Sequence, residues 1–278
     1  MDREELLEAR GRLEAFLELL LPLLGRSERC RWGAFYVQGL LLEGGRKTAA
    51  GMAAHFGGNV QAVQQFVNQS PWDWLTVRRA LAQTMVKQTS GRGAWILDDT
   101  GFPKKGKHTA GVARQYSGTL GKIGNCQVAV SLNYATDEGC FPVNFQLYLP
   151  PAWVEDAERR QKAGIPADMT FRTKWRMGLE MLDQAREWSL PAQVVVADAG
   201  YGVATEFRRE LEKRGYHYVL GITREITVWT EPVVAKPPTY SGQGRPPKGD
   251  RTLPKPIKII EVARLLSGRR EANSVSRP

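Results

Sequence analysis

Apolar and polar positions follow a helical period through the first ninety residues and a mixed strand-and-helix rhythm afterwards. In "EELLEARGRLEAFLELLLPLLG" the residues Leu6, Leu13, Phe16, Leu17 and Leu20 recur at helical spacing and predict an amphipathic helix. "RKTAAGMAAHFGGNVQAVQQFVNQSPWDWL" predicts two short helices around a Gly57-Gly58 turn, with Ala49, Ala53 and Phe56 packed against Val60, Val63 and Val67. That spacing suits a helix-turn-helix whose second helix enters a major groove, and it suits any small helical bundle as well. Ser70-Pro71 then breaks the chain before a further helix, at whose start Trp72 and Trp74 are expected in the core rather than stacked on bases.

From Gly93 the period changes. Trp95 to Leu97 is a short apolar run, a predicted buried strand ended by Asp98-Asp99. Cys126 to Tyr134 and Phe141 to Leu149 alternate and flank "TDEG", which predicts a hairpin. Phe171, Trp175, Leu179, Leu182 and Ala185 share one face of a predicted helix ending near Trp188. The β-branched run "QVVVA", Gln193 to Ala197, predicts a buried strand ending at Asp198. Val203 to Arg214 reads as a helix stopped by Gly215, and Tyr216 to Gly221 as a last strand. Three strands, helix, strand, helix, strand is the order of a ribonuclease-H-like fold, a mixed α/β sheet with flanking helices, here preceded by a small all-helical N-terminal domain. The expected division is a helical, helix-turn-helix-like domain over 1–90 and a ribonuclease-H-like core over 91–222. A Pro-rich insertion is expected over 223–266, with six prolines between Pro237 and Pro256, and a disordered tail over 267–278.

Charge narrows the partners. The 278 residues carry a formal net charge of +10. Seven basic residues against two acidic ones lie between Lys87 and Lys122, and nine against three between Ser241 and Pro278. Clusters of this kind gain affinity for polyanions by releasing counterions from phosphates. The apolar run Leu19–Leu24 is far too short for a membrane span, so no membrane partner is expected. Cys30, Cys126 and Cys140 are widely spaced with no CxxC, which fits a reducing, cytoplasmic setting without structural zinc.

The candidate chemistry lies in "AWILDDTGFPKKGKH" and in Asp198. Two adjacent carboxylates repel each other unless a positive charge offsets them. If the first and fourth strands are neighbours, Asp98, Asp99 and Asp198 meet at one sheet edge, where sites of α/β sheets form. Carboxylates placed so suit Mg²⁺ or Mn²⁺, which keep waters for substrate phosphates. There is no GxSxG, HExxH or paired cysteine–histidine arrangement, and His55, His108 and His217 are expected as surface or packing residues.

"WILDDTGFPKKGKHTAGVARQYSGTLGKIGNCQVAVSLNYA" and "VVVADAGYGVATEFRRELEKRGYHYVLGI" resemble the insertion-sequence transposases of the DDE superfamily, from about Val37 to about Leu266. The resemblance implies an enzyme that binds the inverted-repeat ends of a mobile element. It would nick double-stranded DNA and join the 3′-hydroxyl to target DNA in a cut-and-paste reaction with Mg²⁺. It implies a homodimer in a synaptic complex, associated with a bacterial nucleoid. It places the catalytic and metal-holding role on Asp99 and Asp198, with Asp98 supporting. Lys104, Lys105, Lys107, Arg114, Lys122, Arg46 and Lys47 are the expected DNA contacts. The family's third acid is a Glu on a helix beyond the fifth strand, and nothing here matches that helix. Glu261 in "KIIEVARLL" lies in a segment resembling the family's insertion instead. The expectation is therefore a C-terminally truncated, defective transposase. A DNA-binding remnant that inhibits transposition, and a metal-dependent DNA endonuclease, are the alternatives.

Overall fold

A computed structural model describes residues 2–44, 46–89, 92–229, 242 and 256–260. The chain opens with five helices: α1 (Arg3–Leu20), α2 (Ser27–Leu40), α3 (Ala49–Phe56), α4 (Val60–Asn68) and α5 (Trp74–Lys87). Asp2 caps α1 reciprocally with Glu5, but only the C-terminal end of this helix packs: Leu17 and Leu20 are buried and Leu6 is exposed. The turn between α3 and α4 follows the sequence, with Gly57 left-handed at the end of α3 and Asn59 capping α4. The buried face differs from the expected one. Met52, Ala53, Val63 and Phe66 are inside, whereas Phe56 and Val67 stay exposed. The reason is α2, whose Gly39 lets Met52 come so close that a Cβ there would sit 2.6 Å from it.

Asp73 caps α5, and Ala82 and Val86 of that helix join the main core. Trp72 lies parallel to Phe66 with ring centroids 6.1 Å apart. Trp74 corrects the expectation of a core residue: it is exposed, with the Arg78 guanidinium 4.5 Å from its ring.

A six-stranded sheet follows: β1 (Gly93–Pro103), β2 (Ala113–Ser117), β3 (Lys122–Thr136), β4 (Gly139–Leu147), β5 (Ala192–Ala197) and β6 (His217–Leu220). The order is β2-β3-β1-β5-β6, and β4 pairs with β3 on the same edge as β2. β1 runs antiparallel to β3 and parallel to β5, and β5 parallel to β6. This is the mixed α/β, ribonuclease-H-like sheet with flanking helices. Between β4 and β5 come α6 (Pro151–Glu155), α7 (Ala157–Lys162) and α8 (Lys174–Glu187); α9 (Ala199–Gly202) and α10 (Thr205–Lys213) join β5 to β6. One face of the sheet, with Trp95, Leu97, Val130, Leu132, Tyr134 and Val195, is sealed by Met177, Met181 and Leu182 of α8 and by Phe207 and Leu211 of α10. On the opposite face Ile96, Val194 and Val196 are half-buried and Val219 is exposed.

Three local expectations are corrected. The first strand does not end at Asp98-Asp99, because pairing with β3 continues from Asp98↔Ser131 to Pro103↔Cys126. Strand β2, within "ARQYS", was not expected; it closes a three-stranded arm with the ends of β1 and β3. The helix expected over Val203 to Arg214 is preceded by the separate turn α9, which Asp198 caps. Beyond the sheet, β7 (Thr227–Val228) pairs with β8 (Ile257–Lys258), bringing together chain segments thirty residues apart. The expected Pro-rich stretch between them, apart from residues 242 and 256, lies outside the described residues, as do Glu261 and the tail. Among the described residues no helix is long and apolar enough to cross a membrane.

Candidate active site

The two carboxylate segments are positioned by unequal strand lengths. β5 and β1 pair in parallel up to Leu97↔Ala197, after which β5 turns into α9 while β1 continues. Asp98 and Asp198 thus leave the same register position, one strand spacing apart, about 5 Å. Side chains alternate along β1, so Asp99 shares the face of Trp95 and Leu97 and looks toward α8, whereas Asp98 points to the other face.

Asp99 is not bare. Lys174 Nζ, from the first residue of α8, lies 2.5 Å from its Oδ2, and the Tyr201 hydroxyl donates to its Oδ1 at 2.7 Å. Both side chains of the ion pair are about one-third exposed. Lys174 also lies 5.3 Å from the centre of the Tyr148 ring. Asp198 Oδ1 accepts from the Gly200 backbone N–H at 2.9 Å, an N-cap bond that orients the carboxylate. Asp98 Oδ1 accepts from the Asp99 backbone N–H at 2.7 Å.

Tyr201 is the buried side chain beside Asp99. Its phenol pKa is driven strongly upward, first by burial, then by the charge and hydrogen bond of Asp99, with Asp198 and Asp98 adding to the shift. The phenol therefore stays a neutral donor to Asp99. Burial likewise raises the Tyr148 phenol; there Lys174 works against the shift and Asp99 with it.

The expected cationic contacts fall into two groups. Lys104, Lys105 and Lys107 lie on the loop leaving β1, Arg114 is on β2 and Lys122 opens β3, so all five belong to the antiparallel arm. Lys104 is five residues beyond Asp99, about 16 Å along the strand. This loop is built rather than slack. The Asn125 side chain donates to the Lys104 and Gly106 carbonyls at 2.7 and 2.9 Å, and Arg159 of α7 donates to the Lys107 carbonyl at 3.1 Å. Arg159 in turn stacks 3.6 Å over Trp153, whose indole donates to the Val112 carbonyl at 2.7 Å. Arg46 and Lys47 sit between α2 and α3, in the helical part of the chain. His55, His108 and His217 are exposed, and none takes part in the site.

Sequence reading missed Lys174, Tyr201 and Tyr148. Tyr201 stands three residues after Asp198 in "ADAGYG", a spacing that one helical turn brings back beside the acid. Lys174 lies 75 residues from Asp99 and had no local signal.

A family model for the DDE superfamily endonucleases matches residues 19–276. The chain belongs to this superfamily. A curated relative, the probable transposase for insertion sequence element IS701 from Microchaete diplosiphon, is 31% identical over 180 residues. That stretch covers 64% of this chain and 44% of the relative, so the match spans less than half of the relative's length. Asp99 and Asp198 are the two carboxylates that the sequence reading expects as ligands, and both leave the same end of the parallel β1–β5 pair. Carboxylate oxygens are the donor type a hard divalent cation takes, and the ammonium of Lys174 stands at Asp99 as a positive charge. Among the described residues no group of three or more His, Cys, Asp and Glu could hold a metal ion.

Proposed function

We propose that this chain acts as an insertion-sequence transposase, cleaving DNA at element ends and transferring the strand to target DNA. What supports the reading is the register of the parallel β1–β5 pair, which ends at Leu97↔Ala197 and sends Asp99 and Asp198 out of the same end of the sheet, in a chain of the DDE endonuclease superfamily. Asp99 and Asp198 would hold divalent metal, Mg²⁺ or Mn²⁺, and Asp98 adds negative charge from the opposite face. When bound, a metal pair supplies activation of the attacking oxygen and neutralisation of the leaving oxygen in an in-line displacement. The protein's own part is orientation. Gly200 N–H aims Asp198, and Tyr201 O–H aims Asp99. In the first step water attacks the phosphodiester, the bond to the 3′-oxygen breaks, and a free 3′-hydroxyl and a 5′-phosphate are left. In the second that 3′-hydroxyl attacks a target phosphodiester, gives its proton to solvent, and the target's own bond from phosphorus to its 3′-oxygen breaks, releasing a target 3′-hydroxyl. The cut-and-paste course, a homodimeric synapse and a cytoplasmic, nucleoid-associated setting complete the reading.

Lys104, Lys105, Lys107, Arg114 and Lys122 are proposed to track the phosphate backbone along the arm, and Arg46 and Lys47 to contact DNA beside α3 and α4. Residues 1–90 then serve end recognition and 91–222 the chemistry. Labelled element ends test this. Wild-type protein should give strand-transfer products with Mg²⁺ or Mn²⁺. Asp198→Asn should abolish them at least a hundredfold while DNA affinity stays within twofold, because the carboxylate meets metal and not phosphate. Undiminished cleavage by that variant would end the reading.

Among the described residues no third His, Cys, Asp or Glu completes a metal-holding group, and that favours a second reading. In it the chain is catalytically weak until another segment or polypeptide supplies a third acid, and it occupies inverted repeats as an inhibitor of an intact relative. Specific binding without nicking would select this reading. Nicking without joining would select a simple metal-dependent endonuclease.

A further inference from the structure

Lys174 occupies a position that the proposed chemistry does not use. Its ammonium is 2.5 Å from Asp99 Oδ2, while Tyr201 holds Oδ1, so both oxygens of this carboxylate are engaged. The lysine is the first residue of α8, whose body is fixed in the core by Met177, Met181 and Leu182, so its Cα is not free to retreat. Its side chain, by contrast, is one-third exposed and lies against the Tyr148 ring, with a flexible four-carbon stem. Asp98 and Asp198 leave the same end of β1 and β5, and Lys174 is the cation that the structure places against Asp99.

We propose that Lys174 is a built-in counterion that competes with divalent metal for Asp99. In the metal-free protein it offsets the carboxylate repulsion that the sequence makes conspicuous, and metal binds only by displacing it. Lys174 is in this sense a positioning residue, acting on the site through Asp99. The inference rests on the reading of Asp99 and Asp198 as metal ligands. Its chemistry is competition of one ammonium with one divalent cation for the same oxygen. Removing a unit charge at this distance from a partly solvated site is expected to change metal affinity about tenfold.

Mn²⁺ alone, without DNA, is the probe, titrated into the full chain with free Mn²⁺ read by electron paramagnetic resonance. Lys174→Met should bind Mn²⁺ about tenfold more tightly than wild type, and Lys174→Arg should stay within threefold of it. The midpoint of thermal unfolding should rise more on adding Mn²⁺ for Lys174→Met than for wild type, a gain that loss of a plain structural bridge would not produce. Asp198→Asn placed on Lys174→Met should cancel the gain; a gain that survives would lie at another site and overturn the proposal. Wild type and Lys174→Met binding Mn²⁺ equally, or Lys174→Met more weakly, would also overturn it while leaving the metal site itself intact. If neither protein binds Mn²⁺ at millimolar concentration, the metal-ligand reading fails and the counterion role fails with it.

Discussion

At the scale of single residues, charge is stabilised here by near neighbours. Asp99 has Lys174 and Tyr201; Arg214 has both Asp183, at 2.8 and 3.0 Å, and Glu210, at 2.6 Å. Hydrogen bonds from Lys213 and Arg214 hold the Glu210 carboxyl below its usual range. A carboxyl depressed in the folded state binds its proton more readily when unfolded. Its contribution is therefore present above the unfolded value and lost as pH falls through the folded one. Thermal unfolding of wild type and Glu210→Gln should accordingly differ at pH 6–7 and converge as pH drops below about 4.5, the ordinary glutamate range. A difference that persists unchanged at pH 3 would mean that packing, not ionisation, carries the effect. The residue scale is also where sequence reading reached furthest. The oddity of Asp98-Asp99 was visible in one strand, but which of the two faces the site depends on strand alternation against α8.

At the scale of elements, the site depends on a sharp exit from β5. Asp198 caps α9, Tyr201 points back to Asp99, and the chain passes so close to β6 that Gly202 has no room for a side chain. A Cβ there would sit 1.9 Å from the Gly221 carbonyl oxygen. Gly202→Ala should therefore destabilise the protein by ~1–3 kcal/mol through overpacking, and should weaken Mn²⁺ binding by moving Asp198 and Tyr201 together. Urea unfolding with a parallel Mn²⁺ titration checks this; unchanged stability would show that α9 yields at no cost. Elements with strong periodicity were legible: α3, α4, α8, β5 and β6 lie close to where their patterns put them. Strand β2 was not, because "ARQYS" is polar and exposed along much of its length, and it becomes a strand only through pairing with Lys122–Cys126 of β3. Likewise Phe56 and Val67 looked like core residues because helical periodicity cannot say which helix will cover which face.

At the scale of the whole molecule, the antiparallel arm that carries β1 past the carboxylates gathers five basic residues, Lys104, Lys105, Lys107, Arg114 and Lys122. Its loop is pinned by Asn125 and Arg159, so the lysines are presented at fixed backbone positions. Replacing Lys104 and Lys105 together by Ala should reduce the slope of log binding constant against log salt by about 1.8, from ~0.9 per phosphate contact. Fluorescence anisotropy with duplex DNA at several salt concentrations measures it, and an unchanged slope would assign both lysines to ordinary surface.

The sequence by itself determined the strongly periodic helices and strands, the basic balance and the carboxylates of the candidate site, because these follow from local periodicity, turn chemistry and composition. Tertiary structure alone decided that β1 outruns β5 and that Asp99 rather than Asp98 faces α8. It also decided that a lysine 75 residues away rests on that carboxylate. Those are facts of strand pairing and helix docking. They arise when distant segments share a core, and no short stretch of sequence carries the interaction that produces them.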